Sequence, residues 1–169
     1  MKTIIYAFLI LFSFTLSAQV VEGKLTVGGK SNMIIDMESN STFLLIEKLK
    51  AQNNKFEIDF NGGFENVRGE KIALFNYRTI IKKDSKPIKN TSRKVSLPYK
   101  AGKTEIPIET FDFLGTLVQQ PPEEEEPVMG YEWKNLCLLS EGDYVIVLYA
   151  EPAGIKGVIN PVKLSFSIH

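Results

Sequence analysis

Phe56-Glu57-Ile58-Asp59-Phe60-Asn61-Gly62-Gly63 alternates large apolar side chains with carboxylates and then stops at an Asn-Gly-Gly turn. A period of two puts Phe56, Ile58 and Phe60 on one face and Glu57 and Asp59 on the other. The stretch therefore predicts a strand with one side in a core and one in water. The pattern returns twice. Ala73, Phe75, Tyr77, Thr79 and Ile81 alternate with Leu74, Asn76, Arg78, Ile80 and Lys82 ahead of an Asp84-Ser85-Lys86-Pro87 turn. Near the C-terminus Val162, Leu164, Phe166 and Ile168 alternate with Lys163, Ser165 and Ser167. A single wet face of this kind belongs to antiparallel sheets. By contrast, Tyr144-Val145-Ile146-Val147-Leu148-Tyr149 is apolar on both faces, as a central strand covered on both sides is.

Weaker strand patterns lie at residues 20–27, 33–37, 93–97, 104–108 and 133–139. Residues 41–52 read two ways: a short helix capped by Ser41, or a strand leading into the Phe56 strand. Hairpin neighbours are common at that separation, which favours the strand. No internal repeat and no long helical period is visible. Eight or nine short strands separated by Gly, Pro, Asn and Asp turns predict an all-β antiparallel β-sandwich.

The segment Leu138-Leu139-Ser140-Glu141-Gly142-Asp143-Tyr144-Val145-Ile146-Val147 sets a leucine, a Gly-containing turn and a Tyr at the head of a strand. It resembles the tyrosine corner of immunoglobulin-like and fibronectin type III domains, in which the Tyr hydroxyl bonds to backbone upstream. The resemblance covers the C-terminal third and implies an immunoglobulin-like arrangement, with residues 133–139, 144–149 and 162–168 as its fifth, sixth and last strands. It departs from antibody-type domains at Ile146, which stands where the second disulfide Cys would, and at Trp133, which comes too late to be their core Trp. Such a sandwich implies no function by itself.

The 169 residues fit one globular domain plus a targeting segment. Lys2, the apolar run from Ile4 to Phe12 and the small-residue end at Ser17-Ala18 have the layout of a secretory signal peptide, residues 1–18. Hydroxyl-bearing Ser13, Thr15 and Ser17 make its last third a poor membrane interior, so cleavage after Ala18 and no remaining membrane span are expected. The Leu16-Ser17-Ala18-Gln19 ending resembles signal peptides of Bacteroidetes-type bacteria, which implies an exported bacterial protein, secreted or periplasmic. Residues 19–169 then form a single β-sandwich domain. At that size it buries about 68–70% of its unfolded surface and needs neither disulfide nor metal. Cys137, alone in an apolar stretch, reads as a small buried hydrophobe.

One His and one Cys leave almost nothing from which to build a Cys/His zinc site, a Ser-His-Asp triad or a Cys-His dyad. No catalytic residue, metal or cofactor is assigned. Charge is the feature that stands out. Twenty basic residues balance twenty acidic ones, but from Arg68 to Lys103 there are eleven basic and two acidic residues, a net of +9. From Glu105 to Glu151 there are eleven acidic residues and only Lys134 basic, a net of −10. Lys82, Lys83, Lys86, Lys89, Arg93 and Lys94 would form a basic hairpin able to meet an anionic polysaccharide or an acidic envelope protein through a summed field. The alternative is a solvated loop facing the acidic loop Glu123-Glu124-Glu125-Glu126, since exposed pairs contribute only about 0–1 kcal/mol. Those glutamates lack the spacing of a calcium loop. Nucleic acid is not expected, because net charge is zero and no aromatic motif interleaves the lysines.

Two further surfaces have candidate chemistry. Tyr131 and Trp133 would share a face of a strand and offer a sugar-stacking platform, although Trp is highly buried on average and a core position competes. Tyr77-Arg78 and Tyr99-Lys100 border the basic region and would be the groups of a β-eliminating polysaccharide lyase, against the commoner role of strand aromatics as core. His169 reads as an exposed terminus. Asn40-Ser41-Thr42 and Asn90-Thr91-Ser92 match the glycan acceptor pattern, relevant only in a eukaryotic secretory pathway. The sequence thus favours an exported, non-catalytic β-sandwich with a binding or structural accessory role. A small polysaccharide-active enzyme and a periplasmic inhibitor or assembly subunit are the alternatives.

Overall fold

A computed structural model describes residues 20–111 and 138–169, apart from the side chains of residues 93–96. The signal segment, Tyr131, Trp133, Cys137, the four glutamates and most of the strand expected at 133–139 lie outside the described residues.

The chain runs through β1 (Val20–Val27), β2 (Asn32–Ile34), α1 (Thr42–Lys50), β3 (Phe56–Asn61), β4 (Phe64–Glu65), β5 (Lys71–Lys83) and β6 (Lys86–Lys100). It continues through β7 (Gly102–Glu105), a 3₁₀ turn (Ile108–Phe111), β8 (Gly142–Ala153), β9 (Lys156–Asn160) and β10 (Val162–Ile168). Two sheets form. One has four strands in the order β7-β3-β1-β9. The other has six, in the order β2-β10-β8-β5-β4, with β6 also on β5.

The protein is mostly β, as the alternation predicts, but the sheets are mixed rather than antiparallel throughout. β1 pairs with β9 in parallel, and β2 pairs with β10 in parallel. The cause is a shared crossing. After β1 the chain leaves the four-stranded sheet through Gly28 and Gly29, whose φ values of 54° and 76° suit glycine, and enters the six-stranded sheet as β2. After β9 it makes the same transfer at Pro161 and enters as β10. First and last segments thus run side by side in one direction, once in each sheet.

One core lies between the sheets. Val21, Leu25, Phe56, Ile58 and Phe60 from the smaller sheet meet Phe75, Tyr77, Ile81, Ile146, Leu148, Leu164 and Phe166 from the larger. Phe60 and Phe75 pack edge to face at 5.0 Å, the arrangement their ring quadrupoles favour, and tie β3 to β5 across the layers. Gly23 faces Phe60 on the neighbouring strand. A Cβ there would fall 2.3 Å from the Asp59 carbonyl oxygen and 2.7 Å from the Phe60 Cβ, so glycine is what lets the two strands approach at this point.

Residues 41–52 form a helix rather than the favoured strand. Thr42, Leu45 and Leu49 are its buried residues, spaced by three and four, which is the period of one helical face. Lys48 and Lys50 sit in the last turn, where the helix dipole favours cations. The expected strand at 104–108 is also shorter: Pro107 follows β7, and Ile108–Phe111 coils inward so that Phe111 packs on Phe56 and Tyr77.

Candidate functional site

The basic run lies on the β5–β6 hairpin, which is far more ordered than a solvated loop. Thirteen- and fifteen-residue strands pair from Ile72↔Lys100 to Lys83↔Lys86, with register shifts at Phe75/Tyr77 and Ile81/Lys82. Only Asp84 and Ser85 form the turn, both with positive φ (49° and 64°), as a two-residue turn matched to strand twist requires. Pro87, expected in the turn, instead lies in β6. Among the described residues β6 pairs only with β5, so it is an edge strand, the place where Pro and Lys are tolerated and discourage unwanted pairing.

The hairpin tip is pinned. Asp84 N–H donates to the Asp143 carbonyl at 2.8 Å, and Asp143 N–H donates to Asp84 Oδ1 at 2.9 Å. Ser167 Oγ donates to Asp143 Oδ1 at 2.6 Å, extending the anchor into β10. A Cβ on Gly142 would come within 2.5 Å of Lys83 Cε and 2.9 Å of Asp84 Oδ1, at a φ of 142° that suits only glycine.

Lys83 turns back toward the corner. Its Nζ donates to Ser140 Oγ at 2.8 Å, and that hydroxyl lies 3.1 Å from Tyr144 Oη, which itself donates to the Ser140 carbonyl at 2.9 Å. Lys83 Nζ also stands 5.9 Å over the Tyr144 ring. Lys82 is half-buried, while Lys86 and Lys89 are exposed, and none of the three has an ion pair among the described residues. Arg93 and Lys94 continue along β6, with Arg93 in register with Tyr77.

Elsewhere, among the described residues, members of the basic and acidic stretches are paired, only once with each other. Arg78, from the basic stretch, meets Glu151, from the acidic one, at 2.9 Å while covering the Tyr149 ring at 4.2 Å. Lys100 bonds Glu70 at 2.7 Å, and Lys103 bonds Glu57 at 2.8 Å. Glu105 and Glu109 are engaged by Lys55 and Lys50. Hydrogen bonds from Lys100 and Asn66 hold the Glu70 carboxyl below its usual range, and one from Lys50 does the same for Glu109. The Glu105 bond raises Lys55. Among the described residues, Arg68, Lys71, Lys82, Lys86 and Lys89 are the members of the basic run with neither an ion pair nor a side-chain hydrogen bond to Ser140.

Tyr77 and Arg78 project to opposite faces of β5. The Tyr77 side chain is 1% exposed, and its hydroxyl has no hydrogen-bond partner among the described residues. Burial first, and the neighbouring Tyr99 hydroxyl second, push its ionisation far above the ordinary phenol range. A proton-abstracting role needs the reverse. Tyr99 is half-buried with its ring 6.2 Å from Phe75, and Lys100 beside it is the partner of Glu70.

Two of the surface hollows are lined by ionisable groups of interest. One, of about 580 Å³, lies where β2 leaves β10, lined by Ile34, Asp36, Asp143, Ser165, Ser167 and the exposed His169. The other, of about 420 Å³, has an apolar floor of Leu49, Phe56, Ile106 and Ile108, with Lys50–Glu109 and Lys55–Glu105 at its rim. Among the described residues, no three His, Cys, Asp or Glu side chains gather as metal ligands would, and no helix is long and apolar enough to cross a membrane.

Sequence reasoning located the hairpin and the Tyr144 corner but missed the Asp84–Asp143 pin joining them. Asp84 and Asp143 stand 59 residues apart, and each alone reads as ordinary turn punctuation. No family model matches the chain, and no curated protein is similar to it.

Proposed function

We propose that the protein is an exported, non-catalytic sandwich of the immunoglobulin-like type that binds an anionic polymer outside the cytoplasm, an acidic polysaccharide being the partner class. The observation that carries this reading is the held charge of the hairpin, where Lys82, Lys86 and Lys89 form no ion pair among the described residues. Lys82, Lys86 and Lys89 project from a ribbon paired along its length and hydrogen-bonded at its tip. A rigid array of like charges gives up little conformational freedom on binding and attracts a polyanion through its summed field. The Tyr144 to Ser140 bond and the shared core of two sheets support the immunoglobulin-like reading.

The test is retention of the purified protein on a sulfated polysaccharide as salt rises from about 50 to about 500 mM, a range over which the screening length shrinks severalfold. Binding is expected to fall steeply with salt and to be lost in Lys86→Glu combined with Lys89→Glu. Salt-independent binding, or none, removes the reading.

A further inference from the structure

The sheets end in strands with one unpaired edge among the described residues, and these edges are not alike. β2 spans three residues and β4 two. β6 contains Pro87 and Pro98 among its lysines. In β7, Lys103 is ion-paired with Glu57 and Glu105 with Lys55. Shortness, proline and charge are the devices that keep a sheet edge from recruiting another strand. β9, Lys156-Gly157-Val158-Ile159-Asn160, is different: its one charge stands at the first position, it has no proline, and its register with β1 is unbroken. Among the described residues nothing pairs with its outer edge, where alternate backbone N–H and C=O groups point. Val158 is 66% exposed, and Val20, diagonal to it on β1, is 43% exposed.

Two β9 strands fit each other. Val158 is the middle of the five residues, so an antiparallel pair that uses the whole strand is centred on it and has twofold symmetry. In that register Val158 faces Val158, each Lys156 faces an Asn160, and each Ile159 faces a Gly157. On the outer face the valines cover one another, and the one charge of the strand meets a neutral amide. On the inner face the bare Gly157 leaves room for Ile159. Glu22 lies beside Val158 on β1, so the two Glu22 residues end three strand spacings apart, about 14 Å, beyond the screening length of about 8 Å at physiological salt. Other registers are worse. Centred on Lys156, the pair sets two ammonium groups face to face. Centred on Asn160, it runs into Pro161, which has no N–H to give.

We infer that two copies of the chain join edge to edge through β9, making one continuous eight-stranded sheet in the order β7-β3-β1-β9-β9-β1-β3-β7. Backbone hydrogen bonds supply the attraction, and Val158 sets the register. Five residues a side is few against the roughly 20–30 of a standard interface, so the dimer is a weak one that forms reversibly with concentration. It uses the smaller sheet, whereas the hairpin belongs to the larger, and neither reading depends on the other.

The test is sedimentation of the purified protein over about a hundredfold range of concentration, in which a monomer–dimer equilibrium is expected. Val158→Lys sets like charges face to face at the axis and should weaken association at least tenfold. Within the monomer the new lysine lies beside Glu22, which favours the fold. Val158→Glu should likewise stay monomeric by itself. An equimolar mixture of the two variants should dimerise again, because an interface that sets residue 158 against its own copy makes that pair opposite in charge. If Val158→Glu does not fold beside Glu22, adding Glu22→Lys restores an opposite-charge pair on β1 and the mixture is repeated. A protein monomeric throughout, a dimer that Val158→Lys leaves intact, or variants that stay apart when mixed overturns the inference. So does a dimer dissolved by Lys86→Glu with Lys89→Glu, which would assign the contact to the hairpin.

Discussion

Two tyrosines are buried in the same sheet and live in opposite circumstances. Tyr144, at the head of β8, is 3% exposed; its ring stacks on Phe166 at 5.0 Å and its hydroxyl is bonded to Ser140. Tyr77, in mid-β5, is buried more deeply; its ring meets Phe111 edge-on at 5.2 Å and its hydroxyl is unpartnered among the described residues. Position makes the difference. Tyr144 lies beside a turn whose backbone carbonyl is free to accept, whereas the carbonyls around Tyr77 are committed to β6 and β8 on either side. A hydroxyl is therefore an asset at the sheet's end and a burden at its middle.

The largest effect expected is that of Tyr144→Ala. Removing the stacked ring leaves a cavity against Phe166, and losses of about 3–5 kcal/mol are usual for deleting a buried aromatic. Tyr144→Phe keeps the ring and removes the bonds, and should lose about 1 kcal/mol, since the exposed Ser140 can turn to water. Because Lys83 also bonds Ser140, Tyr144→Phe should free the hairpin tip as well, seen as faster amide exchange at Asp84. Urea midpoints measure the stabilities. A Tyr144→Phe protein as stable as its parent would break the contrast.

Tyr77→Phe is the converse. The ring contacts with Phe111 remain and an unsatisfied polar atom disappears, so stability should hold or rise by up to about 1 kcal/mol. Its signature is alkaline. The folded state keeps this phenol protonated well above pH 10, whereas in the unfolded chain it ionises near 10. Above that point the unfolded state holds fewer protons, so stability falls as pH rises, by at most about 1.4 kcal/mol per unit for one group. Tyr77→Phe should flatten that slope between about pH 10 and 11, the range readily reached. An unchanged slope would place Tyr77 in water.

The two sites also show what a sequence discloses. Alternation named Phe56, Ile58, Phe60, Phe75, Ile81 and Leu164 as inward-facing, because period two is written locally. The corner was legible for the same reason: Ser140 and Tyr144 are four residues apart. The parallel pairings were not, since they depend on β1 and β9, more than a hundred residues apart, crossing between layers together. The helix at Thr42–Lys50 hid behind Phe43, Leu44 and Ile46, apolar residues that serve a strand as well as a helix. The basic cluster was visible as composition. Which of its members stay unpaired was not, because Glu57, Glu70 and Glu151 reach it only through the fold.

The smallest effect belongs to polar groups that have partners but no burial. Glu70 and Glu109 have folded-state ionisation below the ordinary carboxylate range, each chiefly through a hydrogen bond from a lysine. Their contribution is present above the unfolded value, about 4.3, and is lost as pH falls through the lower folded value. Lys55, raised by Glu105, works in the other direction: its share is complete below about 10.4 and is lost as pH climbs through its folded value. Lys55 and Glu109 are exposed and Glu70 is half-buried at the surface, where water and salt screen the attraction. Glu109→Gln should therefore shift the urea midpoint at pH 7 only slightly, and about 0.5 M salt should remove most of that shift. The same salt should leave the Tyr144→Phe loss intact, because the Ser140 bond to the Tyr144 hydroxyl is made on the protein side of the surface. If salt erases both differences alike, the Tyr144 hydroxyl is no better protected than a surface carboxylate, and the contrast between the tyrosines must rest on ring packing alone.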